Sequence, residues 1–373
     1  MIIRRILCVL FVFGALPSAA FGGDVLGETT TGSPKIMAID VIGFAPDGVL
    51  IIADGRGGQL IAVKTLDTVS AKPLAKKTEN IQQKLAAKLG AKSDGISILD
   101  MAVNPESGRV YFAIRRQADK QYVILRTNGA DFDEFQLNNV TYARLALPKS
   151  DRAPVSRVTD LAWADDRILA GARANEEFAS KLLVINAPLN HASQIDIYSA
   201  ETYHVAHGRW ETKAPMSALI PFKEKGKSYV VGAFSCTPVV KYPIDALKPG
   251  AKVKGTSVLE LGSGNRPLDM ISYEKDGKPY VLANTFRFHH EKRPFGPSPY
   301  WTVRFGQDVL QEEEKVNQQA LRRLGKDSTP STDRVVMIES LHGVTQMDKL
   351  NGEMIVILRE TKGGVDLEVV PLP

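Results

Sequence analysis

Six segments of this 373-residue chain share one outline, and that repeat limits the possible folds more than any other feature. Each segment has a short apolar run, a turn rich in Gly, Asp, Asn or Lys, and a second apolar run. In the first segment these are residues 38–44, 46–48 and 49–53. The equivalent positions in the six segments are Asp40, Asp100, Asp160, Ala218, Asp269 and Gln346.

A hairpin of this kind cannot bury its apolar face alone, so neighbouring copies must stack. Further strand-like runs follow most hairpins, for example 182–185 and 195–198 in the third unit. Four strands repeated six times predict an all-β fold, a six-bladed β-propeller, in which ring closure protects the strand edges. The last unit lacks an outer strand, and we expect residues 24–30 to supply it and to latch the ring.

Aspartate recurs at the equivalent position in four of the six units, as Asp40, Asp100, Asp160 and Asp269. Repetition favours a structural role, because a catalytic residue is more often unique to one blade. We expect each of these carboxylates to bind the backbone of a neighbouring blade.

Two stretches interrupt the repeat with apolar residues three or four apart, at about residues 74–90 and 309–325. This spacing is typical of helices. The sequence therefore predicts one propeller domain over residues 23–373 with two short helical insertions, packed on the rim or over one face.

In this outline the chain resembles the broad superfamily of six-bladed propellers typified by NHL-repeat and TolB-like proteins. The resemblance covers nearly the whole mature chain and rests on the repeated hairpins, not on a catalytic motif. It implies the propeller scaffold. Metal-dependent lactonases and quinone-dependent oxidoreductases also occur on such scaffolds, and so do binding and interaction proteins.

Residues 1–22 have the pattern of a secretory signal. Arg4 and Arg5 precede an apolar run over residues 6–16, and small residues follow at 17–20. Cleavage after Ala20 or Gly22 predicts a periplasmic or extracellular product. No other segment is long and apolar enough to span a bilayer, so we expect no membrane span.

The charge pattern of the mature chain narrows its partners. Without Arg4 and Arg5, 45 Lys and Arg residues stand against 42 Asp and Glu, spread along the chain without a basic stripe. This disfavours a nucleic acid and leaves a small ligand or a protein as the partner. Walker, Gly-x-Ser-x-Gly, His-Glu-x-x-His and Cys-x-x-Cys-His motifs are all missing from the sequence. The oligomeric state is not determined by the sequence.

Histidines collect at one end of the predicted ring. When strands are lettered A to D outward from the axis, the loops entering A and joining B to C open at the same end. Five of the six histidines fall there on units four to six, together with Glu211 and Cys236, and only His191 falls at the opposite end. Imidazole, thiolate and carboxylate are ligands for Zn, Cu or Fe. The candidate metal ligands are His204, His207, His289, His290, His342, Glu211 and Cys236.

Five arginines fall at the same end of the predicted ring as these histidines and offer an alternative binding site. They are Arg56, Arg115, Arg173, Arg266 and Arg287. Guanidinium groups bind carboxylate or phosphate through charged hydrogen bonds, so this end could form a cationic socket for an anionic ligand.

Three functions stay open at this stage. The favoured one is a binding or accessory propeller that holds a transition metal or a small anion on its His/Arg-rich face. The second is an enzyme on that face, either a quinone-dependent oxidoreductase or a lactonase-like hydrolase with Glu211, Asn265 and Asn284 as calcium ligands. The third is a protein-interaction scaffold without a small-molecule site.

Overall fold

The computed structural model describes residues 24–148, 155–235, 238–245, 248–262, 264–292, 296–311, 316–322 and 334–373. The predicted signal segment and Cys236 lie outside the described residues.

The described elements, in chain order, are mostly strands. The strands are β1 (Thr30–Gly32), β2 (Val41–Ala45), β3 (Val49–Asp54), β4 (Gln59–Lys64), β5 (Lys77–Thr78), β6 (Ile96–Val103), β7 (Val110–Arg116), β8 (Tyr122–Asn128), β9 (Asp131–Glu134), β10 (Val140–Ala146), β11 (Val155–Ala164), β12 (Arg167–Ala174), β13 (Ser180–Asn186), β14 (Asp196–His204), β15 (Arg209–Glu211), β16 (Met216–Glu224), β17 (Lys227–Phe234), β18 (Pro238–Pro243), β19 (Lys252–Lys254), β20 (Thr256–Glu260), β21 (Asn265–Lys275), β22 (Lys278–Arg287), β23 (Tyr300–Gly306), β24 (Leu321–Arg322), β25 (Val335–Met337), β26 (Val344–Lys349), β27 (Met354–Thr361) and β28 (Gly364–Pro371). The helices are α1 (Ile81–Lys88) and the 3₁₀ turns Ser93–Gly95, Gln307–Gln311, Asn317–Gln319 and Glu339–Leu341.

These strands form six sheets, which confirms the six-bladed propeller. From the axis outward, blade 1 is β2-β3-β4-β10-β1, blade 2 is β6-β7-β8-β9 and blade 3 is β11-β12-β13-β14-β15, with β19 beside β14. Blade 4 is β16-β17-β18-β20-β24, blade 5 is β21-β22-β23-β25 and blade 6 is β26-β27-β28-β5. The inner strand has a register shift just before the aligned position in five blades, at Asp100, Asp160, Ala218, Asp269 and Gln346.

The blades do not follow one another around the ring in chain order. The inner strand of blade 1, β2, contacts both β6 of blade 2 and β11 of blade 3. The ring then continues from β11 through β16, β21 and β26 back to β6. The spatial order is therefore 2-1-3-4-5-6, and the chain passes from blade 2 back across blade 1, where β10 becomes an outer strand.

The expectation that residues 24–30 close blade 6 is wrong. The outer strand of that blade is β5, which pairs with β28 through Leu367↔Thr78 and Glu368↔Lys77. The reason is the ring order: blade 6 adjoins blade 2, so the connection from blade 1 to blade 2 passes its edge. The segment after the predicted signal lies elsewhere, with β1 on β10 of blade 1.

Partly buried aspartates join the inner strands of neighbouring blades. Each carboxylate accepts a hydrogen bond from a backbone N–H of the next blade: Ile42 to Asp100 (2.7 Å), Val158 to Asp40 (3.0 Å), Leu219 to Asp160 (2.6 Å), Met347 to Asp269 (3.0 Å) and Val103 to Asp348 (2.7 Å). The predicted structural role of the repeated aspartates is confirmed. Asp348 has the same role, although the sequence alignment places Gln346 at the equivalent position.

These carboxylates resist ionisation. Burial raises the pKa of Asp269 to about 7 and that of Asp348 to about 6, and hydrogen bonds from the backbone only partly offset this. Burial, followed by the nearby charge of Asp269, also raises the pKa of Asp100 and Asp160 well above the ordinary range. Removing a carboxylate from bulk water disfavours its charged form.

The two insertions differ in structure. The first contains α1, whose Ile81, Leu85 and Ala86 are buried against blades 2 and 6. The described residues of the second form two 3₁₀ turns and the two-residue strand β24, and Val309 and Leu310 enter the core of blades 4 and 5. Among the described residues no helix is long and apolar enough to cross a membrane.

Candidate metal centre

The outermost hairpin of blade 3 carries three of the predicted metal ligands, His204, His207 and Glu211. It consists of β14, a four-residue loop and β15, paired through Thr202↔Glu211, Tyr203↔Trp210 and His204↔Arg209. Side chains alternate between the faces of a strand, so His204 and Glu211 share one face, and Tyr203 and Trp210 share the other.

The loop brings His207 over the face that carries His204 and Glu211. Within it, the N–H groups of His207 and Gly208 donate to the His204 carbonyl at 3.1 and 2.9 Å. Gly208 has φ +65°, a left-handed conformation that glycine adopts without strain. This tight turn places the His207 side chain next to residues on both strands.

Three donor atoms converge on one point of this hairpin. The Nδ1 atoms of His204 and His207 lie 2.9 Å apart, and His207 Nδ1 is 2.6 Å from Glu211 Oε1. His204 Nδ1 is 3.4 Å from the second carboxylate oxygen, Oε2. This is the one group of three or more His, Cys, Asp or Glu side chains with metal-site spacing in the described part of the chain.

The site spans the boundary between core and solvent. His204 is 2 % exposed, whereas the His207 side chain is 48 % and the Glu211 side chain 20 % exposed. Partial burial raises the pKa of Glu211, but hydrogen bonds from His207 and Arg209 and the nearby imidazoles outweigh it, so the pKa lies below its ordinary value. Glu211 is therefore an anion at neutral pH.

The same three atoms could share a proton or hold a cation. An imidazole nitrogen carries either one proton or one lone pair in the ring plane. His207 Nδ1 lies within hydrogen-bonding distance of both His204 Nδ1 and Glu211 Oε1, so a single proton on it would be shared in a three-centre hydrogen bond. A cation between the three donors would accept a lone pair from each at once.

The backbone around His204 is fixed to blade 4 on both sides. The Val205 N–H donates to Glu260 Oε1 at 3.0 Å, and the Ser257 hydroxyl donates to the Tyr203 carbonyl at 2.6 Å. On the far face of the hairpin, Tyr203 and Trp210 meet edge to face and pack with Val205, Val316 and Ala320. The donors therefore stand on a supported element, not on a free loop.

The other predicted ligands that the structure describes are not part of this group. His289 and His290 follow β22 in blade 5, and His342 precedes β26 in blade 6. We expected histidines of blades four to six to converge, but β14 extends to His204, so His204 and His207 belong to the rim of blade 3. Cys236 is outside the described residues.

The five predicted arginines lie at one end of the ring. Arg56, Arg115, Arg173 and Arg287 lie at or just beyond the ends of second strands, and Arg266 is near the start of β21, which runs antiparallel to β22. Arg56, Arg173 and Arg266 are exposed, and Arg115 and Arg287 are half-buried. The ring order 2-1-3 puts Arg115, Arg56 and Arg173 on consecutive blades.

The proposed calcium ligands have other contacts. Asn284 is fully buried; its Oδ1 accepts from Asp269 N at 2.7 Å and its Nδ2 donates to Val344 O at 3.1 Å. Asn284 thus joins blades 5 and 6 through hydrogen bonds to the backbone of both. Glu211 stands on the rim of blade 3, beside imidazoles that calcium does not favour.

No protein-family model and no curated protein matches this chain. Among solved structures, it is similar to the PQQ-bound aldose sugar dehydrogenase of Streptomyces coelicolor, with 13 % identity, TM-score 0.36, and coverage of 92 % of this chain and 99 % of that one. An endo-arabinase of Bacteroides thetaiotaomicron is 11 % identical with a TM-score of 0.37, and the match covers 73 % of this chain and 92 % of that one. An α-L-arabinofuranosidase of Lactobacillus brevis is 13 % identical with a TM-score of 0.34, and the match covers 71 % of this chain and 87 % of that one. At such identities and TM-scores the likenesses carry no argument about activity.

Proposed function

We propose that this chain is an exported propeller that binds a transition-metal ion through His204, His207 and Glu211, in a binding or accessory role. The observation that carries the proposal is the convergence of two imidazole nitrogens and one carboxylate, whose ligand atoms all lie within 4.8 Å of one another. A metal ion at this point would accept a lone pair from each.

The donor set favours zinc, copper or iron(II). Two imidazole nitrogens and one carboxylate suit these ions better than calcium or magnesium, which prefer oxygen ligands. Metal–ligand bonds of about 2.0–2.1 Å give donor separations of roughly 3.3 Å in a tetrahedral site. The two Nδ1 atoms here are 2.9 Å apart, and the nearest carboxylate oxygens lie 2.6 Å from His207 Nδ1 (Oε1) and 3.4 Å from His204 Nδ1 (Oε2). Shifts of less than about 1 Å would bring these atoms to the spacing of a tetrahedral site.

Three protein ligands leave at least one position for water or another ligand. Structural zinc sites usually have four protein ligands, and catalytic ones usually have three. The exposure of the His207 side chain (48 %) also allows the ion to exchange with solvent. The open position favours capture and release of the ion, and it is the observation behind the second candidate function, a metal-dependent hydrolase.

Export is part of the proposal. The basic, apolar and small-residue segments of residues 1–22 support a cleaved signal. Intact-mass measurement of the protein released from the periplasm should give a chain beginning after Ala20 or Gly22. A full-length chain retained in the cytoplasm would contradict export.

The metal proposal is tested by calorimetric titration of chelator-treated protein with Zn²⁺ and, separately, Ca²⁺. We expect one zinc site per chain, no comparable calcium site, and loss of zinc binding in the double variant His204→Ala/His207→Ala. The matched control is His289→Ala/His290→Ala, which removes the adjacent histidine pair of blade 5 and should leave zinc binding unchanged. Equal zinc binding by the wild type and the first variant would overturn the proposal.

If the site is hydrolytic, the zinc-loaded protein should cleave simple esters or lactones, and the His204→Ala/His207→Ala variant should not. If the role is binding alone, zinc binds with the same stoichiometry and hydrolysis stays at the background rate.

A further inference from the structure

A cavity of about 500 Å³ opens on blade 5 at the end opposite the arginines. It lies where β22 begins and β23 ends, and its walls include Lys278, Tyr280, Arg304, Phe305, Arg334 and Val336. The volume is in the range of sites for small molecules. The cavity is on a different blade from the hairpin of β14 and β15, which we call the metal hairpin, and shares no residue with it.

The guanidinium of Arg304 is held in a fixed position in this wall. Arg304 is half-buried, and its Cζ lies 4.8 Å from the centre of the Tyr280 ring. It also donates a hydrogen bond to the hydroxyl of Tyr273, which in turn donates to the carbonyl of Pro373 at 2.6 Å. Two tyrosines and the end of the chain thus orient one cation before any ligand arrives.

Among the described residues that line the cavity, the cations outnumber the carboxylates. Of the three cations, Arg334 forms an ion pair with Asp308 at 3.1 Å. Within the described ranges, Arg304 and Lys278 have no carboxylate at ion-pair distance. A half-buried charge without a counter-ion is costly, because it has lost part of its hydration without an opposite charge in exchange. An anion in the cavity would supply that charge.

Apolar surface lies beside these cations. Val336 is 38 % exposed, and the exposed Pro279 also lines the space. An inorganic anion would leave this surface in contact with water. A small molecule with an anionic group and an apolar body would use both parts of the cavity.

We propose that this cavity binds a small organic carboxylate, with the carboxylate on Arg304 and Lys278 and the apolar body against Pro279 and Val336. The planar guanidinium can bind a carboxylate through two parallel hydrogen bonds, and the lysine adds a second positive charge. This site is independent of the metal centre and needs no metal.

The test uses two probes, 4-fluorobenzoate and its neutral isostere 4-fluorobenzamide. Fluorine NMR measures the binding of each probe to the full mature protein after chelator treatment. We expect the carboxylate to bind and the amide to bind at least tenfold more weakly. Inorganic phosphate at the same concentration should displace little of the carboxylate, because it cannot use the apolar wall. Equal binding of the carboxylate and amide, or full displacement by phosphate, would overturn the proposal.

Two variants and a control assign the binding to this cavity. Arg304→Gln and Lys278→Gln should each weaken 4-fluorobenzoate binding at least tenfold, and Arg173→Gln, at the other end of the ring, should not. Lys278 is exposed, so its variant tests the site even if Arg304→Gln fails to fold. Binding that is unchanged in Lys278→Gln, or lost equally in Arg173→Gln, would refute the assignment.

Discussion

Replacing Glu211 by Gln changes one charge at the metal hairpin and almost nothing else. The carboxylate contacts His207 Nδ1 at 2.6 Å and His204 Nδ1 at 3.4 Å, and its lowered pKa keeps it ionised at neutral pH. The amide of Gln has the same shape but no charge, and it is a weak metal ligand. The variant therefore separates metal binding from the packing of the hairpin.

The size of the effect follows from linkage. Changing a ligand's hydrogen-bonded support costs about 10–100-fold in metal affinity, so loss of a charged ligand should cost at least about 100-fold. At a zinc concentration 100 times the dissociation constant of the wild type, the unfolding free energy of the wild type should rise by about 2.7 kcal/mol. The variant, at a concentration equal to its weaker dissociation constant, should gain only about 0.4 kcal/mol.

The assay is urea unfolding with and without zinc. The matched control is Glu201→Gln, which removes a carboxylate from the same strand, where Glu201 pairs with Lys254 at 3.9 Å. Glu201→Gln should keep the full zinc-dependent gain, and both variants should unfold near the wild-type midpoint in chelator. The reasoning is refuted if Glu211→Gln keeps the full gain, or if Glu201→Gln loses as much.

Three further predictions concern the scaffold. Burial raises the pKa of Asp269 to about 7, so the folded chain keeps a proton that the unfolded chain loses near the ordinary pKa of 3.8. The unfolding free energy should therefore fall as pH rises between these two values, and it should fall less steeply in Asp269→Asn. A pH dependence of the unfolding free energy that is the same in wild type and variant, measured by urea titration, would contradict this. Tyr242→Phe should cost about 1–3 kcal/mol in urea unfolding, because the buried hydroxyl donates to the carbonyl of Glu201, and a neutral result would count against this bond. His191→Ala should speed amide hydrogen exchange in β1, because His191 Nε2 lies 2.9 Å from Thr30 Oγ1. Protection of the β1 amides equal to that in the wild type would show that this contact does not hold the strand.

The sequence was sufficient to predict the strands of each blade and the aspartates that join neighbouring blades. Apolar runs such as residues 49–53 become second strands that are buried on both faces, so local pattern and burial agree. The recurrence of Asp40, Asp100, Asp160 and Asp269 also predicted correctly that they bind neighbouring backbone. Such features repeat in every unit, and repetition separates them from residues that occur once.

The order of the blades could not be predicted in this way. Each hairpin carries the same apolar pattern, so nothing local states which blade it adjoins. The exchange of blades 1 and 2 depends on long-range choices, such as the return of β10 to blade 1 and the pairing of β5 with β28. Both strands lie outside the repeated outline, and β5 has only two residues.

The sequence predicted the three residues of the candidate metal site, but only as part of a larger set of seven. His204, His207 and Glu211 were grouped by the end of the ring at which they fall, together with histidines of other blades. What joins them is the alternation of Tyr203, His204, Trp210 and Glu211 across a turn that ends at Gly208. That pattern is a hairpin signal within the sequence, and it would have located the site without the rest of the ring.

The most direct test of the metal centre is elemental analysis of residues 23–373, purified without a His-tag or chelator. We predict about one equivalent of zinc, copper or iron per chain, and its loss in the His204→Ala/His207→Ala variant. A wild-type protein without metal even after reconstitution, or a variant that retains the full equivalent, would contradict the account.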